Sequence, residues 1–166
     1  MILRRKALLY DIANMAYTIA DTGEHTRHTL HRVRDICQDG NIDRVNRILA
    51  LTFSKVLTVL LPVLKPPRRL KSLPCGEDSE KDFPIHLRKD GNMKFIITQE
   101  IEMNIKETVH EYMVCMVLGD WLAITLPEAA DVWRYRAEKA LQTLLDLATS
   151  LTLSSSRTLR RQLSPF

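Results

Sequence analysis

Apolar residues Leu8, Ile12, Met15, Ala16 and Ile19 return every three to four positions, the period that gathers side chains onto one face of an α-helix. With Thr22-Gly23 as a stop, the spacing predicts a helix over 3–22. A second, more polar helix is expected over 25–38, with Leu30, Val33 and Cys37 inward, Arg27 and Arg34 outward, and an end at Asp39-Gly40. From Asn41 the series Ile42, Val45, Leu49, Phe53, Val56, Leu57, Leu60, Leu64 runs to Pro66-Pro67, where the missing amide proton and the proline ring end a third, core helix.

The pattern then changes. Residues 65–82 hold three of the seven prolines and no sustained period, which predicts a long loop. FPIHLRKDGNMKFII alternates with period two, the mark of a β-hairpin near 83–98. A three-residue Lys89-Asp90-Gly91 loop sets Leu87 against Met93 and Ile85 against Phe95, whereas a two-residue Asp90-Gly91 turn mixes the faces. A fourth helix is expected over 99–124, with a stripe of Ile101, Ile105, Val109 and Tyr112. From Tyr112 to Ile124 it is apolar nearly all round, interrupted by Asp120, so it should lie between other elements or under a partner subunit.

A fifth helix, over 126–151, carries Trp133, Ala137, Leu141, Leu144 and Ala148 on one side and Arg134, Glu138, Lys139 and Asp146 on the other. Thr125 and Glu128 have the spacing of a capping box, and Pro127 suits a first turn. The Ser/Thr-rich stretch 152–166 reads as a flexible tail. The fold class is therefore mainly α, a helical bundle of about five helices with one inserted β-hairpin, forming a single domain over 1–151.

Composition narrows the class without naming a function. At 166 residues, 45% apolar and 27% charged, the chain suits one globular domain. The apolar run Ala7 to Tyr10 is cut by Asp11 and lacks the length of a signal peptide core, so neither export nor a membrane role is expected. Three cysteines, Cys37, Cys75 and Cys115, in no C-x-x-C spacing suit a reducing cytoplasm. The net charge of +4 is clustered: Lys65, Arg68, Arg69 and Lys71 flank the prolines, and Arg157, Arg160 and Arg161 stand in the tail. Either these are solvated linkers, or they meet phosphate or another acidic surface.

Candidate chemistry is sparse. His110-Glu111 opens the helical zinc motif H-E-x-x-H, but Val114 occupies the second histidine's place. His25, His28 and His31 recur every third residue with Asp35 one turn on, a spacing from which two side chains can share a metal, although wet histidines need no such reason. Asp120, between Met116, Val117, Ala123 and Ile124, invites either a raised pKa or an ion pair with a basic residue of another helix or subunit. Gly119 beside it suits close helix approach. Trp121, Met116 and Trp133 are interface candidates that serve equally as core. The glycines are isolated, so no phosphate loop is present, and no cofactor is expected.

The run VHEYMVCMVLGDWLAITLPEAADVWRYRAEKALQTLL, and within it Asp120 to Trp133, resembles the terminal helical hairpin of small phage and prophage morphogenesis proteins of the head-to-tail connector or neck type. The resemblance implies a non-enzymatic, virion-associated subunit that assembles into a ring or tube and assigns no functional residues. Alongside it stand two other classes. One is a basic nucleic-acid-binding or regulatory module using Arg27, Arg32, Arg34, Arg68, Arg69 and the tail arginines; the other is a small metal-dependent enzyme centred on His25, His28, His31 and Asp35.

Overall fold

A computed structural model describes residues 1–22, 27–65, 82–87 and 97–162, with backbone alone for 27–28 and 153–162. Five helices make up most of it. Helix α1 (Arg5–Thr22) buries Leu8, Ile12, Ala16 and Ala20, the stripe its period predicts. Helix α2 (Arg27–Arg34) tightens into a 3-10 turn, Asp35–Cys37, which buries Ile36. Helix α3 (Ile42–Leu60) buries Val45, Leu49, Thr52, Val56 and Leu60. Its α geometry ends before Pro66-Pro67 because Pro62 has no N–H to continue the ladder; the chain narrows to a 3-10 turn over Leu61–Val63.

Helix α4 (Gln99–Thr125) starts where Thr98 Oγ1 accepts the Ile101 N–H, with Glu100 and Glu102 facing the positive end of its dipole. It is the centre of the bundle, touching α1, α2, α3 and, most extensively, α5 (Pro127–Gln162). Of the two covers expected for its apolar second half, other elements of the same chain supply it: Tyr112, Met113, Val117, Leu118 and Leu122 are buried here without a partner subunit.

The turn into α5 differs from a capping box. Thr125 closes α4 instead of opening α5, and its hydroxyl donates back to the Trp121 carbonyl at 3.0 Å. Buried Leu126 is the joint, its N–H bonded to Leu122 O at 2.7 Å, and Pro127 takes the first helical position as expected. At the other end the backbone stays helical to Gln162, past the boundary expected at 151. No glycine or proline interrupts 128–162, and serine and threonine lower helix propensity without breaking the ladder.

A two-stranded antiparallel element completes the fold. Strand β1 (Ile2–Leu3) pairs with β2 (Phe83–Pro84) in the register Ile2↔Pro84 and Leu3↔Phe83. The pairing extends through Met1 and Ile85, whose backbones exchange hydrogen bonds of 2.9 and 3.0 Å. Across the other edge Lys65 N–H reaches His86 O at 2.9 Å. The predicted alternation is present: Ile85 and Leu87 are buried, while Pro84 and His86 are exposed. The Lys89-Asp90-Gly91 turn and the partners Met93 and Phe95 lie outside the described residues. Phe83 packs on Phe53 of α3, ring centroids 4.9 Å apart, which ties this element to the bundle.

Candidate functional site

Near the turn into α5, α4 is closed. Asp120 Oδ2 accepts from Arg44 of α3, 3.0 Å from Nε and 2.5 Å from the terminal nitrogen. Its side chain keeps 41% of its surface in water, so it is an ion pair at the rim and not a charge buried among apolar neighbours. Trp121 is 8% exposed, and its indole N–H donates to Val33 O at 3.2 Å, fastening α4 to α2. Gly119 permits close approach to α5: a β-carbon there would sit 3.1 Å from Arg134 Cγ. Met116 packs half-buried against the core. Of the four interface candidates, Asp120, Trp121 and Met116 thus have roles inside the chain, and Trp133 belongs to a different place.

That place is a cleft of about 290 Å³ between α1, α4 and α5. Its apolar lining is Met15 of α1, Val114 and Cys115 of α4, and Trp133 of α5. Around these stand polar and ionisable groups: Asp11, Lys106, Glu107, His110, Glu111 and Arg136. The Arg136 guanidinium lies 4.9 Å from the centre of the Trp133 ring, a cation–π contact that fixes both side chains at the wall. Within the cleft His110 Nε2 and Asp11 Oδ2 are 2.7 Å apart, joining positions 99 residues distant in sequence.

The pair explains what becomes of the truncated zinc motif. His110, which lacks a second histidine one turn on, has a carboxylate from another helix instead. Sequence reasoning missed this partner, but a signal was present: Leu8, Asp11, Ile12 and Met15 share one helical face, so Asp11 breaks an apolar stripe.

An aspartate that orients an imidazole can support proton transfer, but nucleophilic catalysis needs an activated nucleophile as well. Cys115 does not supply one. Burial, and secondarily the charge of Glu111, push its thiol up to about 11 against the opposing pull of Arg136, so it stays protonated near neutral pH. Burial likewise raises Cys37, whose sulfur lies 3.7 Å from Leu9 O. An apolar floor with a rim of both charges instead suits the docking of a side chain or a small amphipathic group.

The remaining sequence candidates do not converge here. His31 is exposed and the Asp35 carboxylate accepts from Gln38 Nε2 at 2.6 Å, while His25 and the His28 side chain lie outside the described residues. Among the described residues no group of three or more His, Cys, Asp or Glu side chains has the geometry to hold a metal. Lys65 is exposed; Arg68, Arg69, Lys71 and Cys75 fall outside the description, and Arg157, Arg160 and Arg161 stand on helical backbone. One stretch, Ile42–Val63, is long and apolar enough to cross a membrane by length and composition, but it also carries the buried stripe of a bundle helix. No family model, curated protein or solved structure matches the chain.

Proposed function

We propose that the chain is a non-catalytic structural or adaptor subunit that works by self-association or by docking onto a larger assembly. The observation that carries this reading is the mismatch between the two longest helices. Helix α5 has 36 residues and α4 has 27, and they run antiparallel from one short turn. At roughly 1.5 Å per residue α5 is about 54 Å long and α4 about 40 Å, so the last turns of α5 extend past the helix that covers the rest of it. A helix that outruns its main packing partner gains from further cover, which an assembly can supply. Exposed Tyr10 and Tyr17 on α1 and Val132 and Tyr135 on α5 add apolar surface on the helices that flank the cleft. The resemblance of Asp120 to Trp133 to phage connector and neck proteins suggests a ring or tube as the setting.

Light scattering in solution tests this reading, at low and high salt and with and without duplex DNA. A discrete oligomer that persists at high salt is expected. A strict monomer at high concentration that ignores DNA contradicts it. A second reading, a nucleic-acid-binding module, is favoured by one observation: Arg157, Arg160 and Arg161 fall on continuous helix at the spacing i, i+3, i+4, which gathers them on one face. On that reading DNA shifts the mass only at low salt, as counterion release requires.

A further inference from the structure

Charge is distributed unevenly along this chain. None of its 20 Asp and Glu falls between Arg44 and Gly76, a stretch that holds seven of its 24 Lys and Arg. Elsewhere 17 basic residues stand against 20 acidic ones, so the net positive charge of the molecule originates here. The first half of the stretch is helix α3. We infer that the outward face of α3 docks on an anionic lipid surface, lying on it and not crossing it. The inference stands apart from the self-association proposed above, because α3 does not line the cleft.

Spacing and exposure together define the face. Arg47, Leu51, Ser54, Lys55 and Thr58 are linked by three- and four-residue steps, which place them on one side of a helix, and every one is exposed. Leu61 and Lys65, also exposed, carry the same steps past the helix end. The other side of α3 is committed to the core through Val45, Leu49, Val56 and Leu60, so crossing a bilayer would forfeit that packing. Ile42–Val63 is nonetheless apolar enough by composition to enter a membrane, and only 28% of its most apolar window is buried. The bundle uses a minority of that apolarity. Leu51 and Leu61 are 64% and 69% exposed.

Two features select the partner. Arg44 is engaged by Asp120, but neither Arg47 nor Lys55 forms an ion pair among the described residues, which leaves their charge for an outside anion. Leu51 sits between them. Long basic side chains lay their methylene stems along apolar surface and lift their charge to the phosphate level, so a leucine flanked by them enters the boundary between headgroups and acyl chains. Nucleic acid offers the same phosphates but nothing for the exposed leucines, and Phe53, the single aromatic of α3, is packed against Phe83 instead of standing free to stack on a base. The composition that argues against a membrane protein does not bear on such a face, which is visible only once the fold commits the rest of α3 to the core.

Vesicle co-sedimentation of the full chain tests the inference. Vesicles of phosphatidylcholine alone are compared with vesicles containing roughly one-third phosphatidylserine, at low salt and at about 1 M salt, where screening shrinks to about 3 Å. The expected result is sedimentation with the anionic vesicles alone, reduced at high salt. Arg47→Glu with Lys55→Glu should lower the partition coefficient by at least about thirtyfold, since each basic residue at an anionic surface contributes about fivefold. Leu51→Ser with Leu61→Ser should lower it by about tenfold. All four positions are exposed, so both double variants should keep the wild-type helical signal and Tm by circular dichroism. No binding of wild type to anionic vesicles, or equal binding to neutral ones, overturns the inference whatever the variants do. Full binding by the leucine variant also overturns it; if that variant and wild type then hold duplex DNA equally while the charge variant does not, the face is a phosphate contact to nucleic acid.

Discussion

At the turn between α4 and α5, Asp120, Trp121 and Thr125 each find a partner inside the chain. About three turns earlier on the same helix, His110 finds one in Asp11, but Glu107, Glu111 and Trp133 border an open cleft. The difference lies in what packs outside each stretch. Helices α2 and α3 close over the first, bringing the Val33 carbonyl and the Arg44 guanidinium to it. Over the second, α1 and α5 diverge enough to leave a cleft. One helix therefore contributes a satisfied core at one end and lines an open cleft at the other, so an apolar, nearly all-round helical pattern does not by itself say which stretch is closed by the chain's own elements.

The largest contrast is expected between the two tryptophans. Replacing buried Trp121 by alanine removes a large core side chain and strands the Val33 carbonyl, costing about 3–5 kcal/mol. Trp133→Ala, at the half-buried cleft wall, should cost about 1–2 kcal/mol, in line with partial burial. Urea unfolding of the two variants measures both. Equal losses would erase the distinction between closed end and open cleft.

Cys115 sharpens the comparison from the cleft side. With its thiol raised from 9.0 to about 11, native protein at pH 8 should be alkylated at this position roughly a hundredfold more slowly than the unfolded chain on ionisation alone. Removing the Glu111 charge with Glu111→Gln should lower that pKa and speed the reaction. The linkage has a definite sign: the folded chain holds the proton longer than the unfolded one, so this contribution to stability is whole below pH 9.0 and declines as pH rises towards about 11. Stability that increases over that window in wild type, relative to Cys115→Ala, contradicts the assignment.

Between the two regions, the Tyr112 hydroxyl is buried with no hydrogen-bond partner among the described residues, and burial raises its pKa. Tyr112→Phe deletes only that hydroxyl and should leave stability unchanged or raise it by about 1 kcal/mol. A clear loss on thermal unfolding would mean the hydroxyl is engaged. The smallest effect belongs to the Arg44–Asp120 pair. Both side chains are more than a third exposed, so Arg44→Ala should cost roughly 0.2–1 kcal/mol and less in high salt.

Much of this arrangement was legible in the spacing of apolar residues. The five helices, the stripes of α1 and α3, and the inward turn of Ile85 and Leu87 follow local periodicity, which burial enforces. What escaped was non-local or decided by competition between neighbours. The partner of Phe83–Pro84 is a two-residue strand at Ile2–Leu3, too short to show a period. Thr125 has the residue type and spacing of a cap, yet its hydroxyl turns back to Trp121 because Leu126, not Thr125, occupies the joint. The length of α5 was hidden by serine and threonine, which favour caps and turns without forbidding helix. For Asp120 the kind of partner was readable and its identity was not, since Arg44 lies 76 positions away. The Asp11–His110 pair shows the same limit from the other side: the histidine drew attention to a metal motif, and its carboxylate lay on another helix.

The proposal that the chain works by association, through its cleft side and not through the closed turn, is tested most directly by the solution mass of two single variants. Met15→Arg places a charge in the cleft, and Ile124→Arg places the same charge on an exposed apolar residue beside the turn. Measured by light scattering at one concentration, Ile124→Arg should keep the wild-type mass and Met15→Arg should fall to the mass of a single chain. The opposite result, dissociation by Ile124→Arg with Met15→Arg unaffected, would place the interface at the closed end and contradict the account.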